Sequence, residues 1–437
     1  MVTTMLRLWF SALLPFALAA GSPAQLQRSS VPLADTLTKA LAQSALTTPG
    51  SSPFHLRLIV AEPENPQSPY TGSIELWWAS PQQWRREIGG PENLHQLTVF
   101  ANGTKTEEDI GDYLPLWLSR FVTAVMDPVP DAAAWSQAGT TLDQVTLPNG
   151  RKADACARAR SQIGSGDRAT DAFSTLCFDG DGRLKSLSSP RYSMEFQDPR
   201  SFEKKHVFRQ LVEDPEPGTK LVGTVTILET LKDPGQLFTP LPRDDNRLRS
   251  VAVSTAALEQ LTADDPAIDW PPVHSGNVRG KLAVYVGADS TGKVREVWPL
   301  NSDNAGLNDA ARDQIRQWQL KPARDKQGVP VAVNGGLGFA FSTTIGDPLP
   351  ELSDAETRAL ATHIVDPVFP PGTPSGTTVD AEVSVDENGK VVGLRTIHGP
   401  KEAAGSVFMT LHQWTFKPYV LEGKGRYFHG RLRFVAP

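Results

Sequence analysis

The chain has 437 residues, 39% hydrophobic and 21% charged, with 43 basic and 49 acidic side chains. Such a balance builds packed cores and excludes collagen, long coiled coils and wholesale disorder. A formal net charge of -6 offers no basic face for nucleic acid. The 36 prolines and 35 glycines favour turn-rich β structure over helical bundles.

Residues 1–24 read as a secretory signal. Arg7 precedes the apolar run Leu8 to Ala20, which is too short to span a bilayer comfortably, and Ala17-Leu18-Ala19 and Ser22-Pro23-Ala24 offer small-residue cleavage sites. Cleavage places the chain in the periplasm; an uncleaved segment tethers it to the inner membrane. No later apolar run reaches the length of about 18 residues that a membrane helix needs, so no transmembrane helix is expected in the mature chain. Leu33, Leu37, Leu41 and Leu46 then fall near helical spacing, and Thr47 to Pro53 ends that patch.

From Phe54 to about Leu241 short strands alternate with turns. Phe54 to Val60 and Gly72 to Trp78 alternate, Gln83 to Ile88 and Leu97 to Phe100 follow, and Asn102-Gly103 marks a tight hairpin. One helix is predicted over Leu114 to Met126. Further strands are expected around Cys156, Cys177, Leu184, Tyr192 to Phe196, His206 to Leu211 and Leu221 to Leu228. In an exported chain the isolated pair Cys156 and Cys177 reads as a disulfide, worth about 3 kcal/mol on the chain-entropy model; two buried free thiols are the alternative.

This order resembles the outer-membrane lipoprotein carrier (LolA-like) family. The matching residues are Gly72-Ser73-Ile74-Glu75-Leu76, Trp84-Arg85-Arg86-Glu87, Cys177-Phe178-Asp179 and Gly182-Arg183-Leu184. The resemblance implies an antiparallel β half-barrel over residues 25–241, its apolar concave face open to an acyl chain or hydrophobic peptide.

Residues 242–268 read as a polar connector. Two similar segments follow, 269–346 and 347–437. In the first, Leu282, Val284 and Val286 alternate before a turn at Gly292; in the second, Val379, Ala381 and Val383 alternate before a turn at Gly389. An amphipathic helix comes next in each, with stripes Leu307, Ala311, Ile315, Trp318 and Ala404, Val407, Leu411, Trp414. Gln317-Trp318-Gln319-Leu320-Lys321-Pro322 corresponds to Gln413-Trp414-Thr415-Phe416-Lys417-Pro418, which makes Trp318, Lys321, Pro322, Trp414, Lys417 and Pro418 the repeat's anchors. A last strand ends each unit, so each reads β-β-α-β.

These units resemble the C-terminal domain of TonB, in two tandem copies. The resemblance implies that a protein or peptide partner of the cell envelope adds a strand at an exposed sheet edge. The candidate edges carry Val329, Val331, Phe339 and Phe341 in the first unit and Tyr427, Phe428, Leu432 and Phe434 in the second. The chain lacks the Pro-rich spacer and the membrane-helix histidine of TonB proper.

Catalytic signals fail one by one. Gly287 to Lys293 matches most of a phosphate loop, but Val294 stands where Ser or Thr would bind magnesium. The eight histidines are scattered, and Asp179 to Gly182 fits a hairpin turn better than a calcium loop. No catalytic, cofactor or metal residue is expected. The fold class expected is α+β: an N-terminal half-barrel followed by two tandem β-β-α-β domains. The function expected is non-enzymatic partner binding in the envelope; the alternative is a periplasmic lipid or lipoprotein carrier.

Overall fold

The structure is a computed structural model that describes residues 27–437 except 49, 138–139, 148–150, 217–218, 234, 243, 246, 263–266, 275, 347–349, 371 and 422. The segment read as a secretory signal lies outside the described residues. In chain order the N-terminal part comprises β1 (Gln27–Pro32), α1 (Leu33–Ser44), β2 (Phe54–Ala61), β3 (Gly72–Ser80), β4 (Gln83–Gly89), β5 (His95–Ala101), β6 (Thr104–Ile110), α2 (Leu116–Met126), α3 (Ala132–Gln137) and β7 (Thr141–Thr146). It continues with β8 (Ala155–Ile163), β9 (Thr170–Phe178), β10 (Leu184–Ser188), β11 (Ser193–Phe202), β12 (Lys205–Glu216) and β13 (Thr219–Thr230).

Eleven of these strands form one antiparallel sheet in the order β6-β5-β4-β3-β2-β13-β12-β11-β10-β9-β8. Period-2 alternation sets its inner face: Phe54, Leu56, Leu58 and Val60 of β2 and Ile74, Leu76 and Trp78 of β3 are buried together. Asn102 and Gly103 both adopt positive φ, 52° and 77°, the backbone a two-residue type I′ hairpin requires. β1 pairs with β7 outside this sheet and delivers α1, whose Leu33, Leu37 and Ala40 recur at helical spacing and are buried.

Two four-stranded sheets follow. The first uses β14 (Ser250–Ala252), α4 (Thr255–Leu261), β15 (Arg279–Ala288), β16 (Val294–Ser302), α5 (Asn308–Ile315) and β17 (Ala332–Ser342), ordered β14-β17-β15-β16. The second uses β18 (Glu351–Leu352), α6 (Asp354–Leu360), β19 (Ala361–His363), β20 (Thr378–Val385), β21 (Val391–His398), α7 (Lys401–Leu411), β22 (Thr415–Phe416), β23 (Tyr419–Leu421), β24 (Lys424–Arg426) and β25 (Phe428–Val435), with its main sheet ordered β18-β25-β20-β21. Gly292 and Gly389 turn each hairpin at φ 89° and 86°. A Cβ there would lie 2.1 Å from the Leu320 carbonyl and 1.9 Å from that of Phe416, so only glycine fits.

The α+β class expected from the sequence does not hold. Among the described residues the fold is mostly β, 47% strand against 18% helix. Where a half-barrel was expected, the N-terminal part is one large eleven-stranded antiparallel sheet with β6 and β8 at its ends. Nor are the C-terminal units three-stranded β-β-α-β domains. Each gains a leading strand and helix, β14 with α4 and β18 with α6, and the leading strand pairs in parallel with the last. The polar residues read as a connector thus supply a strand and a helix to the first small sheet. The repeat helices also stop at Ile315 and Leu411, one turn short of Trp318 and Trp414.

The first small sheet is buried on both faces. Leu282, Val284 and Val286 pack beneath α5, while Tyr285 and Trp298 join the core of the large sheet. Close backbone approach explains the glycines of β17: a Cβ on Gly338 would lie 2.7 Å from the Gly164 Cα and 2.6 Å from the Arg168 carbonyl oxygen.

Candidate functional site

The inner face of the large sheet is covered by α1 and α2, which bury Leu37, Leu118 and Phe121 against it. Cavities lie beside this cover, two of them lined mainly by apolar side chains. Beside the C-terminal ends of α1 and α2 lies a void of about 40 Å³ walled by Leu46, Leu56, Ala124, Phe196, Val207 and Leu211. Beside α3 lies a wider cleft of about 240 Å³ between Ala134 and Trp135 on one side and Ala159, Leu187 and Tyr192 on the other. Asp131 shapes this cleft with a positive φ of 63°, uncommon for a residue with a side chain. Its carbonyl accepts the backbone N–H groups of Ala134 and Trp135 and so seats the indole.

A polar network joins α2, the large sheet and the first small sheet. Arg120 donates from Nη1 to Glu213 Oε1 at 2.5 Å and from Nε to the Arg191 carbonyl, and its guanidinium lies 3.9 Å from the Trp298 ring centroid. Burial pushes the Glu213 carboxyl up to about 7, even though the Arg120 charge pulls the other way. Glu296 of β16 accepts the Tyr113 hydroxyl at 2.7 Å and the Leu116 N–H at 2.6 Å. Burial raises its carboxyl too, against the Leu116 N–H, the Tyr113 hydroxyl and Arg120. Burial also raises the Tyr113 phenol, helped by the adjacent carboxylate. None of Arg120, Glu213 and Glu296 was singled out by the sequence. The available signal was the unbroken buried run of β15, Leu282 to Ala288, where β20 alternates from Thr378 to Val385. An unbroken apolar strand is covered on both sides, so it points to a docked partner surface.

Cys156 and Cys177 are bonded, opposite each other on β8 and β9. The six residues expected to anchor the repeat differ in their surroundings. Trp318 meets Phe339 edge to face at 5.8 Å, and Trp414 meets Phe434 likewise at 5.9 Å. Lys321 and Lys417 point into solvent while their backbone N–H groups close onto the Leu261 and Leu360 carbonyls, and Pro322 and Pro418 are exposed beside them.

Each candidate strand-addition edge already has a strand beside part of its length. β17 has β14 beside it over Ala332 to Asn334, and Val331, Phe339 and Phe341 are buried; Val329 is exposed in the preceding turn. β25 has β18 beside it at His429 and Gly430. Further along, Asp354 of α6 accepts the Arg433 N–H and Arg358 donates to the Arg433 carbonyl, so side chains occupy the backbone groups an added strand would need. Phe428, Leu432 and Phe434 point into the core. Tyr427 is half-buried against His274 at 5.2 Å.

No family model matches the chain, and no curated protein matches it. Among solved structures, a LolA superfamily protein from Nitrosomonas europaea is 10% identical and covers 48% of this chain and 98% of its own, with a TM-score of 0.23. An outer membrane lipoprotein-sorting protein domain from Vibrio parahaemolyticus is also 10% identical and covers 45% of this chain and 91% of its own, with a TM-score of 0.21. Scores this low leave the function to be argued from the site, and nothing in the comparisons supports the TonB resemblance. Among the described residues no helix is long and apolar enough to cross a membrane.

Proposed function

We propose that the protein is a cell-envelope carrier that takes up an apolar group, such as an acyl chain, on the inner face of its large sheet and releases it without chemistry of its own. The observation that carries this reading is the cleft of about 240 Å³ beside Trp135, where α3 leaves an otherwise covered apolar sheet face accessible. Ligand sites are concave, mostly apolar and largely preformed, and this cleft has that character. The disulfide supports an oxidising compartment such as the periplasm. The first small sheet acts as a scaffold that fixes α2 from outside.

The test is uptake of a neutral fluorescent probe, N-phenyl-1-naphthylamine, by the full chain. Binding is expected, with loss in Ala159→Trp, which fills the cleft. Absence of probe uptake by the unaltered protein would refute the reading, as would uptake that Ala159→Trp leaves unchanged.

A further inference from the structure

The cleft beside Trp135 does not end in apolar side chains. It adjoins a second cavity of about 100 Å³, and the two share Pro130, Arg191 and Tyr192. The second cavity is polar. Ser119, Arg120 and Thr123 of α2 form one wall, and Ser250, Tyr285 and Asn334 of the first small sheet form the other. That far wall is held in place by its own hydrogen bonds: the Tyr285 hydroxyl donates to Asn334 Oδ1 at 2.6 Å, and Asn334 Nδ2 donates to Ser250 Oγ at 2.8 Å.

The charges are one-sided. Two guanidiniums, Arg120 and Arg191, line the polar cavity and no carboxylate does. Glu213 lies behind Arg120, bound to its Nη1. Both guanidiniums act on the Tyr285 phenol, pulling its pKa down against the larger effect of burial, so their fields converge on this cavity. Arg191 makes no ion pair among the described residues, is exposed, and lines both cavities. In the apolar cleft the other charged residue is Asp131, itself exposed.

We infer that the two cavities form one site for a single-chain anionic amphiphile, with the alkyl chain beside Trp135 and a carboxylate or phosphate head between Arg191 and Arg120. An arginine fork suits either oxyanion, and a low-dielectric wall strengthens the pairing. Together the cavities reach the lower end of ligand-pocket size, about 300 Å³, which fits one short chain and not a diacyl lipid. The inference rests on the carrier reading and adds to it the head-group chemistry and a polar wall contributed by the small sheet.

Titration of the full chain with laurate, dodecyl phosphate, the neutral dodecyl maltoside and inorganic phosphate tests it. Laurate and dodecyl phosphate should bind more tightly than dodecyl maltoside, and inorganic phosphate should bind weakly. Arg191→Ala, an exposed change that leaves the core intact, should weaken the two anionic amphiphiles about tenfold or more and leave the maltoside unchanged. Equal binding of charged and neutral alkyl probes, unaffected by Arg191→Ala, would overturn the head-group assignment while the carrier reading stands. Tight binding of inorganic phosphate without any alkyl probe would overturn the amphiphile, and so would no binding of any probe, which would take the carrier reading with it.

Discussion

Glu296 caps α2 from another sheet: its carboxylate accepts the Leu116 N–H, the first residue of that helix, at 2.6 Å. Pro115 precedes the helix and supplies no side-chain cap, so this carboxylate replaces the Ser, Thr or Asp usual there. The negative charge also suits the positive end of the helix. Glu296→Ala should cost about 2–3 kcal/mol, because two hydrogen bonds to a charged group are lost. Amide exchange should rise first at Leu116 and the residues after it. A loss of stability with no change in exchange at α2 would contradict the capping role.

Glu213 predicts an unusual pH dependence. Its carboxyl is pushed up to about 7 from an ordinary 4.5, chiefly by burial. The folded protein therefore holds this proton over a range in which the unfolded chain has released it. Stability from this group is fully present below 4.5 and is lost as pH rises through about 7, by about 3 kcal/mol in all. Its Oε2 is buried with no hydrogen-bond partner among the described residues, so no donor there offsets the cost of burying the charge. Urea denaturation at a series of pH values should show the fall, and Glu213→Gln should flatten it. A slope that persists in Glu213→Gln would assign it to another group.

How much of this was legible in the sequence depended on the range of the interaction. Local patterns read correctly: α2 was expected from Leu114 to Met126 and runs from Leu116, and the hairpin at Asn102-Gly103 follows from residues that tolerate positive φ. The disulfide followed from there being only two cysteines. What failed was non-local. Ser250 to Ala252 is too short to show a period, and it becomes a strand only because β17 offers it an edge. The two edges expected to be open meet different neighbours: β14 lies beside β17, and β18, Asp354 and Arg358 lie beside β25. The polar cavity could not be foreseen either, since Arg120, Arg191 and Asn334 are brought together from three separate regions of the chain.

The disulfide should matter for stability and not for the cleft. Cys156 lies on the outer face of β8, whereas its neighbours Ala155 and Ala157 are buried and Ala159 lines the cleft. The bridge closes a separation of 21 residues, so Cys156→Ala with Cys177→Ala should lower stability by about 3 kcal/mol. Reductant should produce the same drop in the unaltered protein. Probe uptake by folded protein should be unchanged, and a parallel loss of uptake would show that the bridge holds the cleft open.

The two repeat tryptophans should respond unequally although their aromatic partners match. Trp414 is 1% exposed, and its Nε1 donates to the Val365 carbonyl at 2.8 Å, tying the segment after β19 to the second small sheet. Trp318 is half-buried, and its ring borders a cavity lined by Arg168 and Glu259. Trp414→Phe removes the donor and leaves the carbonyl unpaired, at a cost of about 2–3 kcal/mol, while Trp318→Phe loses mainly contact area, at about 1 kcal/mol. Denaturant unfolding of both variants measures the difference. Amide exchange should rise around Val365 in Trp414→Phe alone, and equal losses in the two would mean that the Val365 bond contributes nothing.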